Sequence, residues 1–270
     1  MSGVVEKLAA VIGGLFVLAL FASCNGNDYG SDPTATAPES TETPAGVGAL
    51  PLDRFHYAAT LTLHEQQPVD ANEVTISTEG DYQSPDRNFF THTIRTKKDT
   101  FARSAVVVGD TAWLRLADGH WQEMGRDDEE IASLISAAFS PLRPSFLGGP
   151  DFEDARESAR RLTPASESVN GVPANHYQVG AAGREFIQTF LSDEQLVRQV
   201  QDLTWDLWLA DDGAWPVRLV ATGGVTTGHP ALDQLDLQAP IRWELRIEIS
   251  RPNDPALVVR LPAAGRPLGP

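Results

Sequence analysis

The sequence predicts an α+β domain in which one curved antiparallel β-sheet carries helices on its concave face. Three observations predict it. From Pro51 to about residue 124, apolar residues alternate with polar ones, the period-two pattern of half-buried strands. Between Asp127 and Leu203 the pattern turns mostly to helical spacing. From Trp205 onward the alternation returns. A run of strands, then helices, then strands is the order of an α+β domain.

Ahead of the domain lies a segment of different character. Glu6 and Lys7 precede Leu8 to Ala22, which is nearly all apolar. That run of about 15 residues suits the h-region of a signal peptide and falls short of the about 20 that span a bilayer as a helix. Gly13 and Gly14 in its middle lower helix propensity further. Leu20-Phe21-Ala22-Ser23-Cys24 resembles the lipobox of bacterial lipoproteins, in which a peptidase cuts before a cysteine that carries a diacylglycerol. Phe21 stands where leucine is usual, and only Lys7 and the amino terminus are positive, so two features depart from the pattern. The competing account is a membrane helix with an inert, buried Cys24. The lipobox reading divides the chain into a signal peptide (1–23), a lipidated Cys24 with its tether (24–50) and a folded domain (51–270). It makes Cys24 the lipid attachment site of an extracytoplasmic protein held to a membrane by acyl chains such as palmitate.

The tether, Asn25 to Leu50, is rich in Ser, Thr, Pro, Gly and Ala and has too few large apolar residues to bury a core. As a coil its about 26 residues span roughly 25–30 Å. Cys24 is the only cysteine among 270 residues, which excludes an internal disulfide framework and zinc sites built on paired cysteines. A formal charge of −16 argues against nucleic acid, whose phosphates need a clustered cationic surface.

The elements follow in order. Phe55, Tyr57, Ala59, Leu61 and Leu63 alternate with His56 to His64 and predict the first strand. Val74, Ile76 and Thr78 predict a second, with Gly80 read as a bulge or bend. Asn88–Thr96, Phe101–Gly109 and Thr111–Leu116 continue a meander of about six strands, punctuated by the turn signals Gly109-Asp110 and Asp118-Gly119. Asp127 to Phe139 reads as a helix with acids in its first turn, where they oppose the positive end of the dipole. Ser140 to Pro150 is an apolar Pro/Gly loop, and Phe152 to Leu162 reads as a second short helix. Val172 to Val179, after Asn170-Gly171, returns to strand, and Arg184 to Leu203 reads as helix, either one or, with Ser192 and Gln195 as a capping box, two with a break between them. Trp205–Leu209 and Trp215–Thr222 predict a hairpin around Asp211-Asp212-Gly213. Ile241, Trp243, Leu245, Ile247 and Ile249 alternate with Arg242 to Glu248 in the cleanest amphipathic strand of the chain.

No constellation for catalysis emerges. The six histidines, His56, His64, His92, His120, His176 and His229, form no HxH or HxxxH pair and read as exposed strand residues rather than metal ligands. No GxSxG elbow and no P-loop are present. Asp127-Asp128-Glu129-Glu130 reads as a solvated helix start rather than a cation site. The reading is therefore of a protein that is not an enzyme, with no cofactor and no metal. The six tryptophans fall on predicted strands and read mostly as core.

The ordered set of FHYAATLTL, VVVGDTAWLR with DGHWQEM, VNGVPANHYQV and DLWLADDGAWPVRLVATG resembles the LppX/LprG-type lipoproteins and, more remotely, the LolA/LolB lipoprotein carriers. The resemblance spans roughly residues 52–262. It implies a half-open β-barrel closed by helices around an apolar cavity for acyl chains, and a monomer that carries lipid or lipoprotein cargo in the cell envelope. Inward faces expected to line such a cavity are Phe55, Tyr57, Leu61, Leu63, Val74, Ile76, Leu207, Leu219, Trp243 and Leu245. Phe146 and Leu147, between Pro and Gly-Gly, are candidates for a mobile lid or a membrane contact, against the plainer reading of a loop packed on the sheet. The other functional reading is a sensing module, or one that docks an envelope protein, without cargo transfer.

Overall fold

The computed structural model describes residues 52–67, 71–84, 86–116, 118–126, 128, 131–132, 134–135, 158–163, 165–179, 199–211, 215–229, 232–233 and 235–262. Cys24 and its leader, the tether, the loop with Phe146 and Leu147, and most of the expected helices lie outside these residues.

Among the described residues twelve strands follow one another: β1 (Arg54–Glu65), β2 (Glu73–Gln83), β3 (Arg87–Arg95), β4 (Thr100–Val108), β5 (Thr111–Arg115), β6 (Trp121–Gly125), β7 (Arg160–Arg161), β8 (Glu167–Val169), β9 (Val172–Gln178), β10 (Val200–Ala210), β11 (Pro216–Val225) and β12 (Ile241–Ser250). They form one open, curved sheet in the order β6-β5-β4-β3-β2-β1-β12-β11-β10-β9-β7, with β8 paired to β9. The first six strands are the expected meander. The first strand then meets the last, Tyr57 opposite Ile249 and Leu63 opposite Trp243, so the middle of the sheet joins the two ends of the domain.

The α+β expectation, with helices on the concave face, is overturned: the described residues form an antiparallel sheet, with no more than one or two consecutive residues in helical conformation anywhere among them. Part of what reads as helix is strand. Arg160 and Arg161, at the end of the expected second helix, pair with Gln178 and Tyr177. Residues 200–203, at the end of the expected long helix, begin β10. The cause is a β-bulge: Val200 faces Val225 but Thr204 faces Thr222, so β10 carries one extra residue, with Asp202 at φ 50°. The bulge puts Val200 and Trp205 on the same buried face at an odd spacing, which breaks period two and imitates a helical stripe. Of the helix expected over 127–139, residues 131–132 and 134–135 are helical, with Ile131 and Leu134 buried in the core.

Alternation sorts each strand into an apolar face and a polar one. Phe55, Tyr57, Ala59 and Leu63 of β1 join Val74, Ile76, Phe90 and Ile94 on one side and Trp205, Leu207, Leu219, Ile247 and Ile249 on the other in one core cluster. The opposite face carries Thr91 and Ser104, whose hydroxyls lie 2.9 Å apart, and a ladder of ion pairs such as Arg218 with Glu248 at 2.7 Å. A small second cluster sits on that face, where Val259 of the C-terminal segment packs with Val106 and Trp121. The Val259 amide donates to Gln83 Oε1 at 3.2 Å and ties the segment down.

Gly80 is no bulge. It sits in unbroken register opposite Phe90, and a Cβ there would meet the Phe89 carbonyl oxygen at 2.2 Å. Close approach of β2 and β3 is what requires glycine. At the end of β1 the buried Glu65 carboxylate accepts the Asn72 amide at 2.7 Å and the Gln238 amide at 2.6 Å, joining two connections to the sheet.

Candidate functional site: an apolar face with a polar row

Register fixes which side chains share a face, because directly opposed residues of an antiparallel pair point the same way. Phe55 opposes Tyr82, Tyr57 opposes Gly80, Leu61 opposes Ile76 and Leu63 opposes Val74. Across the seam Leu61 opposes Leu245 and Leu63 opposes Trp243, and farther out Leu207 opposes Leu219. The structure therefore places all ten residues expected to line a cavity on one face of one sheet.

Within that face they are not equivalent. Phe55, Tyr57, Leu63, Val74, Ile76, Leu207, Leu219 and Trp243 are buried. Leu61 and Leu245 are half-buried although they sit mid-strand and face each other across β1 and β12. Their row continues through Ile76 and Ile94 to Phe101, which is also partly buried. Apolar surface is thus open at the centre of the sheet, where alternation alone would put the best-packed residues. Gly223 contributes to its shape, since the Trp243 indole lies where a Cβ at residue 223 would go, with Cζ2 2.7 Å away.

The next row is polar, and the sequence reading missed it. Ala59 opposes Thr78, Thr78 opposes His92, and His92 opposes Arg103. His92 is 1% exposed, and Thr78 Oγ1 lies 2.8 Å from its Nδ1. Its Nε2 is buried and, among the described residues, meets no hydrogen-bonding atom. Burial pushes its pKa down to about 4, so the ring is neutral at pH 7. Arg103 is half-buried, and its guanidinium carbon lies 4.5 Å from the centre of the Phe101 ring. The signal was in the sequence: His92 shares strand parity with Phe90 and Ile94, and Arg103 with Phe101 and Ala105.

The other histidines split by face. His56 pairs with Asp81 at 2.8 Å, and His176 with Asp206 at 2.9 Å while stacking on Trp208 at 4.1 Å, both on the polar face. His229, like His92, is buried, which corrects the expectation of exposed strand histidines. Four tryptophans, Trp121, Trp205, Trp215 and Trp243, are buried, and Trp113 and Trp208 are half-buried on the polar face. Among the described residues no group of three His, Cys, Asp or Glu side chains is placed to hold a metal ion.

No protein-family model matches the chain, and no curated protein matches it. Solved structures are similar to it at low identity. One is a DUF1329 family protein from Desulfovibrio piger, 10% identical over 77% of this chain and 88% of that one, with a TM-score of 0.23. Another is a candidate outer membrane lipoprotein-sorting protein domain from Vibrio parahaemolyticus, 10% identical over 74% and 86%, with a TM-score of 0.20. Spatial agreement at this level assigns no function.

Proposed function

We propose that the domain binds acyl chains of a lipid or lipoprotein on the apolar face of its sheet and carries or presents them in the cell envelope, held to a membrane through a lipidated Cys24. The observation that carries the reading is the half-buried Leu61–Leu245 pair, open apolar surface in the middle of an otherwise packed face. The lipobox-like LFASC and the LppX/LprG-like motifs point the same way. Burying a 16-carbon chain removes about 15 methylenes from water, roughly 12 kcal/mol at about 0.8 each. A bilayer offers much the same, so moving cargo between membrane and protein is nearly neutral and needs neither catalysis nor a cofactor.

The test is native mass spectrometry of the full chain, released from non-ionic detergent after incubation with envelope lipids. Adducts of acyl-lipid mass are expected on the wild type and are lost from the Leu61→Asp and Leu245→Asp variants while their circular dichroism stays unchanged. A wild type without adducts refutes the reading. That outcome would favour a docking module, for which the half-buried Phe89, Val108 and Trp113 on the opposite face offer a surface.

A further inference from the structure

Polar residues on the apolar face of a sheet are costly unless something answers them. Thr78, His92 and Arg103 form such a row across three adjacent strands, between the apolar row Ile76–Ile94–Phe101 and the row Gly80–Phe90–Ala105. Thr78 answers only Nδ1 of His92. The opposite ring nitrogen, Nε2, is buried without a hydrogen-bond partner among the described residues. Arg103 adds a permanent cation with no carboxylate partner among the described residues; its guanidinium lies over the Phe101 ring. Glu65, a buried carboxylate of this face, is three side-chain rows from Thr78, roughly 20 Å along the strands, and is held by two backbone amides. The row is therefore electropositive in apolar surroundings, where charge is weakly screened. It also begins beside the open surface: Leu61 and Ile76 lie one row from Ala59 and Thr78.

We infer that Thr78, His92 and Arg103 form a headgroup site that selects anionic amphiphiles, whose carboxylate or phosphate oxygens meet Arg103 and His92 Nε2 while the acyl chain runs over Leu61 and Leu245. Nε2 is covered in the unliganded chain, so the anion reaches it only as that cover moves aside; in the tautomer in which Thr78 donates its hydroxyl hydrogen to Nδ1, the neutral ring carries its proton on Nε2 and donates it to the anion. The guanidinium offers a planar fork that matches two oxygens of a carboxylate or phosphate. The inference rests on the acyl-binding reading of the same face and adds to it the sign of the headgroup.

The experiment compares ligands with identical tails in native mass spectrometry titrations of the full chain. Hexadecanoic acid is set against hexadecan-1-ol, and dihexadecanoyl phosphatidylglycerol against dihexadecanoylglycerol. The wild type is expected to favour the anionic member of at least one pair by about 10-fold or more, since a hydrogen bond to a charged group contributes about 1.5–3 kcal/mol. A preference in the first pair alone identifies a free carboxylate as the ligand; a preference in the second alone identifies a lipid phosphate. Arg103→Gln, which keeps a polar side chain at a half-buried position, and His92→Leu should each bring the ratio toward one. Neutral and anionic ligands binding equally to the wild type, or a preference that survives in Arg103→Gln, overturns the headgroup site and leaves acyl binding standing. No binding by any of the four overturns the acyl reading itself.

Discussion

Acid should destabilise this fold through His92, and the size of the effect follows from its burial. An unfolded histidine titrates near pH 6.5. In the folded chain His92 titrates near pH 4, because burial disfavours the charged ring. Above about pH 6.5 neither state holds the extra proton. Between about 6.5 and about 4 the unfolded chain takes it up and the folded chain does not, so stability falls with the pH. Below about 4 both hold it and the loss levels off. A gap of about 2.5 pH units corresponds to roughly 3 kcal/mol. Other titrating groups act in the same range, so the quantity to measure is a difference between two proteins. Urea unfolding of the wild type and of His92→Leu is followed at pH 7, 5.5 and 4. On acidification from 7 to 4 the stability difference should move by about 3 kcal/mol in favour of the variant. A difference that stays constant across the three pH values would refute the claim that His92 is held neutral in the core.

Other expectations follow from close contacts and anchors. Gly80→Ala places a methyl 2.2 Å from the Phe89 carbonyl oxygen, so β2 and β3 must separate; a loss of about 3 kcal/mol is expected in urea unfolding, and a loss under about 1 would contradict the close approach. Glu65→Ala leaves the Asn72 and Gln238 amides without their acceptor, with an expected cost of about 2–4 kcal/mol and faster amide exchange at both residues; unchanged exchange would show that the carboxylate does not hold them. Cells fed an alkyne-tagged palmitate should label the wild type and not Cys24→Ser, and equal labelling of the two would dispose of the lipid anchor at this residue.

Most strands were legible because their burial is periodic. In β1 the odd-numbered positions from Phe55 to Leu63 turn inward, and in β12 those from Ile241 to Ile249, as the alternation of each predicts. The pairing of β1 with β12 was not legible, since nothing local in either strand names a partner at the far end of the domain. The start of β10 was misread because the bulge at Gln201–Thr204 shifts the phase of its apolar residues, and local pattern cannot tell an inserted residue from a helical stripe. Gly80 was recognised as special but for the wrong reason: its sequence marks a missing side chain, and only the neighbouring strand reveals what takes that space. The ten apolar residues were found together because parity alone puts them on one face. The polar row escaped because His92 was read with the other histidines as an exposed strand residue and Arg103 was not singled out, and only their parity with Phe90 and Phe101 sets them among apolar neighbours.

The seam between β1 and β12 also constrains how the domain is assembled. Strands β1 to β6 pair only with their sequence neighbours apart from this seam, and each hairpin closes a short loop. The seam joins residues about 180 positions apart, so its loop-closure entropy is the largest in the sheet and its contacts belong late on the folding route. Leu61 and Leu245 stand on its two sides. Until the last strand arrives there is no central apolar opening, and a half-made chain presents the bare edge of β1 with its row of unpaired backbone groups. The open surface is thus a product of completion: the chain acquires it with the same step that removes its most adhesive edge.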